Sequence, residues 1–146
     1  YNRPMSLFPT SFSEKFRKYK SHLRVFMGLN FIVVGIAHFV WPEPFVTIVP
    51  PYLPAHYTLV YVSGFFEVLG GLGILLRPSR QIAAWGLLAL LVAVYPANIH
   101  MLVNDVYIEG FPKSRIGLWL RMPLQFVFMA AIYWSCEPKW PPEKNR

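Results

Sequence analysis

Residues 57–76, YTLVYVSGFFEVLGGLGILL, are twenty residues, apolar or small but for one ionisable group, Glu67, near their centre. At about 1.5 Å of rise per residue they make a helix of roughly 30 Å, the thickness of a bilayer's hydrocarbon core. Glu67 then falls close to the midplane, where a charge costs about 2.5–3.5 kcal/mol or more. Such a side chain must face protein, find partners or give up its charge. The stretch predicts a membrane span whose neighbours shelter one carboxyl.

Three further spans flank it. The first covers about 23–41, LRVFMGLNFIVVGIAHFVW, interrupted by Asn30 and His38, which lie eight apart on one helical face. The third covers about 82–103, where Pro96 removes an amide and is expected to free the carbonyl of Val92. The fourth covers about 116–136, with Gly117, Arg121 and Gln125 on one face. In the second span Ser63, Glu67 and Gly71 share a face, and small neighbours allow another helix close approach. Residues 42–56 carry five prolines and read as a loop, 77–80 as a tight basic turn and 104–115 as a second polar loop. The fold expected is all-α: a four-helix membrane bundle over 23–136, behind a basic segment at 1–22 and before a polar tail at 137–146. In the basic segment Ser11-x-x-Glu14 has the form of a capping box. Phe12, Phe16, Tyr19 and Leu23 follow at helical spacing, which predicts an amphipathic helix lying on the membrane surface.

The composition agrees. Of 146 residues 55% are hydrophobic and only 14% charged, against about 25% in ordinary soluble domains. The net charge of +7 does not point to nucleic acid, because the basic residues flank apolar segments instead of forming a stripe. Eleven Lys and Arg fall in the N-terminal segment, the 77–80 turn and the tail, against Lys113 and Arg115 in the opposite loops. That imbalance predicts both termini on the cytoplasmic or matrix side. Trp41, Tyr57 and Trp119 mark one boundary and Trp85 and Trp134 the other. The single cysteine, Cys136, excludes an internal disulfide and a Cys-x-x-Cys redox pair.

Depth along the spans gathers the polar residues. Glu67, Asn30 and Gln125 come out roughly 13–16 Å below the boundary opposite the termini, Arg121 and Asn98 about 7 Å, and His38 and His100 about 4–5 Å. Every span contributes to this half, while the other half is almost wholly apolar. Gln125 and Asn30 are expected to hydrogen-bond Glu67, and Arg121 to reach down and pair with it. Asn98 and His100 stand about 200° apart, so only one can face this core; Asn98, which shares a face with Tyr95, is the choice. Glu67, Arg121, Gln125, Asn98, Asn30, His38 and Tyr95 are thus the candidate polar core or headgroup site. Three uses fit them: an ion pair that locks the helices, a seat for a lipid or quinone head, or proton transfer. His38 and His100 are also the two histidines that could ligate a haem, although His100 then competes with Asn98. No other metal set, phosphate loop or nucleophile triad is present.

HFVWPEPF, IVPPYLP, SGFFEVLGGLGILL, AAWGLLALLVAVYPANIHM and LRMPLQFVF, in this order over about residues 23–134, resemble the DoxX-like family of small four-helix membrane proteins. His38, Pro50, Pro51, Pro54, Glu67, Pro96, Asn98, Arg121 and Gln125 fall at that family's motif positions. The resemblance implies an accessory subunit of a respiratory or other quinone-linked complex, partnered by membrane lipids and other membrane-protein subunits. Alternatives it carries are a membrane subunit of a thiosulfate:quinone type oxidoreductase and a membrane-protein assembly chaperone. No catalytic residue carries over, and no cofactor beyond a bound lipid or quinone is implied. The long basic extension and the missing Met favour the mitochondrial inner membrane, with the bacterial plasma membrane second.

Overall fold

A computed structural model describes residues 10–107 and 113–139, with side chains from residue 14 onward. The described residues form α1 (Thr10–Val40), α2 (Glu43–Val46), α3 (His56–Leu75), α4 (Arg80–Val103) and α5 (Arg115–Cys136), with no strand among them. α1 from Glu14, α3, α4 and α5 are each long and apolar enough to cross a membrane. Their ends lie within two residues of the spans expected from hydropathy, apart from the start of α1.

Among the described residues the basic helix expected to lead into the first span is continuous with it. α1 runs unbroken for 31 residues, about 46 Å, because no glycine or proline interrupts the chain between Glu14 and Arg24. Ser11 falls inside the first turn, and the side chains of Ser11 and Phe12 lie outside the described residues, as do residues 1–9, 108–112 and the tail beyond 139. Phe16 packs edge-on against Trp134 of α5, with ring centroids 6.4 Å apart. Lys20 pairs with Glu137 and lies 5.4 Å over the Trp134 ring. These contacts bring the start of α1 and the end of α5 together at one end of the bundle, here the termini end. The other end carries residues 41–55, 104–107 and 113–114.

The connections follow from local chemistry. Ser79 Oγ donates to the Gly73 carbonyl at 3.0 Å and Arg80 Nε to that of Ile74 at 3.3 Å, satisfying acceptors that the end of α3 leaves open. Arg24 does the same for α5, donating from Nη1 to the Ser135 carbonyl at 2.9 Å. Ser114 caps α5, its hydroxyl accepting from the Gly117 amide at 3.4 Å. The proline-rich connection is not wholly loop: α2 is a single turn, and Pro50 further along it is fully buried.

The four long helices close a ring in which α1 packs on α3, α3 on α4, α4 on α5 and α5 on α1. α1 and α3 are the most intimate pair and α1 and α5 the loosest. Glycines set that difference. A Cβ added to Gly71 would stand 2.7 Å from the Gly28 carbonyl oxygen, and one added to Gly64 would stand 2.8 Å from that of Gly35. Two glycine pairs one heptad apart therefore bring the antiparallel backbones into direct contact, the close approach typical of small-residue seams in membranes. The apolar core lies toward the termini end, where Met27, Ile74, Ala84, Leu87 and Ile132 are almost completely buried.

Gly64→Ala should lower stability by about 1–3 kcal/mol, because the new methyl would meet His38 Cβ at 2.6 Å and backbone behind it. Gly86→Ala, with nothing within 4 Å of the added atom, should be neutral or stabilising. Equilibrium unfolding of the two variants in mixed micelles checks the contrast.

Candidate functional site

A cavity of about 240 Å³ opens among all four long helices on the side of the core away from the termini. α1 lines it with Asn30, Phe31 and Val34, α3 with Glu67, α4 with Leu91, Val94 and Asn98, and α5 with Arg121, Leu124, Gln125 and Phe128. Five of the seven candidates read from the sequence, Asn30, Glu67, Asn98, Arg121 and Gln125, thus line one cavity. Helical spacing explains the gathering, since Arg121 and Gln125 are one turn apart on α5, and Leu91, Val94 and Asn98 follow one another down a face of α4.

The bonds among these residues differ from those expected. Gln125, buried, donates from Nε2 to the Leu91 carbonyl and accepts at Oε1 from Asn98 Nδ2, so it ties α5 to α4 and does not reach Glu67. The carbonyl recruited is that of Leu91, one residue before Val92; Val92 itself is turned outward and exposed. Pro96 sits one turn beyond both on the unbroken α4, where its ring crowds the preceding turn. Arg121 makes no ion pair with Glu67. Among the described residues its nearest polar contact is the thioether of Met101, 3.1 Å from Nη1. Tyr95 does not line the cavity; its ring packs edge-on against Phe126, with centroids 5.6 Å apart.

Glu67 turns instead toward α1. Its Oε2 lies 3.5 Å from His38 Nδ1 and has no hydrogen-bond partner, although it is sealed from solvent. His38 is buried, holds Nδ1 at 2.8 Å from the Val34 carbonyl and stacks at 3.8 Å on Phe45 of α2. A carbonyl can only accept, so Nδ1 carries the proton in this arrangement. By rise alone the two α-carbons are about 9 Å apart along the bundle, yet the side chains meet. Side chains on a helix lean toward its N-terminus. In antiparallel helices that tilts His38 and Glu67 toward one another, and Gly64 gives His38 room against α3.

His100 stays outside the cavity, its Nδ1 buried without a partner, and His38 faces Glu67 and Phe45. The two imidazoles therefore do not share a space in which both could ligate one haem. No three His, Cys, Asp or Glu side chains converge among the described residues. Phe65, Phe66 and Phe126 are exposed on the outer faces as expected for lipid- or partner-facing rings, whereas Phe128 is half-buried and lines the cavity.

The fold and site define a four-span helical bundle, membrane-spanning by length and composition, with a polar chamber set in one half. The model of a family described as Domain of unknown function (DUF8561) matches residues 27–136, and the chain belongs to that family. The match takes in every wall of the cavity. No curated protein and no solved structure matches the chain.

Because Gln125 bridges Asn98 and the α4 backbone, Gln125→Leu and Asn98→Leu should each destabilise the bundle, by about 0.6–1.7 kcal/mol. Their effects should be less than additive, since each removes the same bond. A double-mutant cycle on unfolding free energy in micelles reads the coupling directly.

Proposed function

We propose that this protein is a non-catalytic accessory subunit of a quinone-linked membrane complex, and that its cavity seats the polar head of a quinone or lipid. One observation carries the reading. A buried acid, Glu67, and a half-buried cation, Arg121, line the same cavity without pairing, and the carboxyl oxygen Oε2 has no hydrogen bond. Buried polar groups left this way call for a third group between them. The group must accept from a guanidinium at one point and donate to a carboxyl at another. A quinol hydroxyl with its partner oxygen does both, and so does a lipid phosphate with an adjoining hydroxyl or ammonium.

Size and access favour an amphiphile. The volume lies below the range of about 300–1,000 Å³ that encloses a whole drug-sized ligand, leaving room for a head but no long tail. The cavity is lined from both α1 and α5, the loosest neighbouring pair, and its lining residue Leu124 is exposed, which gives a tail a way out into lipid. The exposed aromatics on the outer faces would then pack against partner spans. The DoxX-like resemblance of the motifs adds the quinone-linked setting, and the Lys and Arg imbalance favours the termini end on the matrix or cytoplasmic side, in a mitochondrial inner or bacterial plasma membrane. In a redox subunit of the thiosulfate:quinone kind, the same seat would serve as the quinone site and electrons would arrive through a partner.

Purification in mild detergent, followed by solvent extraction and mass spectrometry, should recover a quinone or phospholipid near one per chain, together with co-migrating membrane subunits. Arg121→Gln should weaken retention by about tenfold or more, the value of a hydrogen bond to a charged group. A wild-type chain free of any amphiphile, or one that migrates alone, would count against the proposal.

A further inference from the structure

We propose that His38 and Glu67 form a proton relay between the aqueous phase at the 41–55 connection and the cavity, so that the ligand seated there is one whose head gains or loses protons. The inference rests on the reading of the cavity as a headgroup site and narrows its ligand class. A quinol-type head exchanges protons at its oxygens, whereas the phosphate of a structural phospholipid stays ionised through its stay.

The geometry is that of a two-step path. His38 is two residues from the end of α1, near the connection, and Glu67 is at the cavity wall. Nδ1 faces inward, 2.8 Å from the Val34 carbonyl and 3.5 Å from Glu67 Oε2. Nε2, on the opposite edge of the ring, makes no hydrogen bond among the described residues and is not among the sealed polar atoms. Phe45 stacks on one face of the imidazole and holds the ring across the path. In the relay, a hydronium ion gives its proton to Nε2 and leaves as water, the Nδ1–H bond breaks as an Oε2–H bond forms on the ionised Glu67 carboxylate, and the imidazole is left neutral with its proton on Nε2. Glu67 then hands its proton to the bound head. The reverse sequence, or a ring flip, resets the imidazole. No electron moves in these steps.

The surroundings suit the task. Around Glu67 the charged or titratable groups are His38 from α1 and Arg121 from α5, while α4 contributes the neutral Asn98. Around His38 they are Glu67 from α3 and, on α2, Glu43, which is exposed. Glu67 Oε2, sealed and unbonded, is thus open to the one exchangeable proton beside it. A carboxyl placed only to lock helices would take up the amides of Asn98 and Gln125, which here are spent on each other and on the Leu91 carbonyl.

The test uses the full chain in lipid nanodiscs. A rapid pH step is followed by infrared absorption of the carboxyl group, assigned to Glu67 by its loss in Glu67→Gln. In the wild type the band should follow the step promptly. In His38→Phe, which keeps the ring stacked on Phe45, the response should slow by roughly a hundredfold, the usual contribution of a placed acid–base group. His38→Gln is the second variant: its amide still donates to Val34 or Glu67 but passes no proton, and it should be equally slow. Unchanged kinetics in folded His38 variants would overturn the relay, and so would a wild-type band that ignores pH across the folded range. Solvent extraction of the same samples separates the two readings. An amphiphile retained without a His38 effect sinks the relay alone, whereas a His38 effect with an empty cavity sinks the headgroup reading.

Discussion

The contact of two backbones, α1 against α3, is the constraint on which the rest is built. Gly28 with Gly71 and Gly35 with Gly64 bring main chain against main chain at two heights, with Leu75, Ile32, Val68 and His38 packed close around them. In a bilayer no hydrophobic force drives such packing, because lipid tails are as apolar as leucine; van der Waals fit and polar contacts must supply it. The seam spans one heptad on each helix and encloses Glu67. It therefore fixes where the carboxyl sits, which way it leans and which residue of α1 it meets. α3 carries further glycines toward α4, where a Cβ on Gly70 would meet Leu87 at 2.5 Å. The helix with the buried acid is thus gripped from two sides, and α5 closes the ring on looser terms.

That looseness and the polar network are two aspects of one arrangement. Gln125 and Asn98 consume each other and one backbone carbonyl, which joins α4 to α5. Arg121, a turn away from Gln125, then has neither amide to bind and rests against a thioether. Across the cavity Glu67 is held by α1 and α3, beyond the network's reach. The acid and the cation are kept apart by rigid elements, each anchored by its own contacts. A bundle optimised only for self-association would let them meet, since an isolated charge in a membrane is costly. The retained separation is the physical reason to look for a third participant.

The spans were legible because hydropathy and length are read directly from the chain, and the depth of each polar residue followed from counting along a helix. Depth alone placed Glu67, Asn30 and Gln125 at roughly 13–16 Å and Asn98 and Arg121 at about 7 Å, all in one half of the bundle, and these five do line one cavity. Pairings were not legible, because they depend on how far each helix is rotated, and a few tens of degrees move a guanidinium from Glu67 to Met101. The Gln125 bond to Leu91 needs close packing of α4 and α5, which no residue pattern announces. The His38–Glu67 approach did leave a signal. Gly35-x-x-His38 and Gly64-x-x-Glu67 place the same spacing on two helices expected to run antiparallel, and the lean of helical side chains turns that spacing into a meeting. That the basic helix runs on without a break into the first span was not legible: basic residues at 15–24 read as a membrane surface, yet they are equally good helix formers off it.

The division of the bundle into two halves limits what the cavity can be. Below Glu67, toward the termini, Met27, Ile74, Ala84, Leu87 and Ile132 fill the axis with almost no exposed surface, and no polar side chain from this core continues the path. Buried Ser135 at the far end is turned to the Ile132 carbonyl and to Cys136. On the proposed reading, a proton or polar head that enters from the 41–55 side reaches Glu67 and stops, since the next described layers are buried and apolar. Polar groups confined to one half of the described bundle suit the proposed one-sided seat. The apolar half leaves Oε2 of Glu67 no partner on that side, so on the proposed reading a seated head is worth more there than at the bilayer surface.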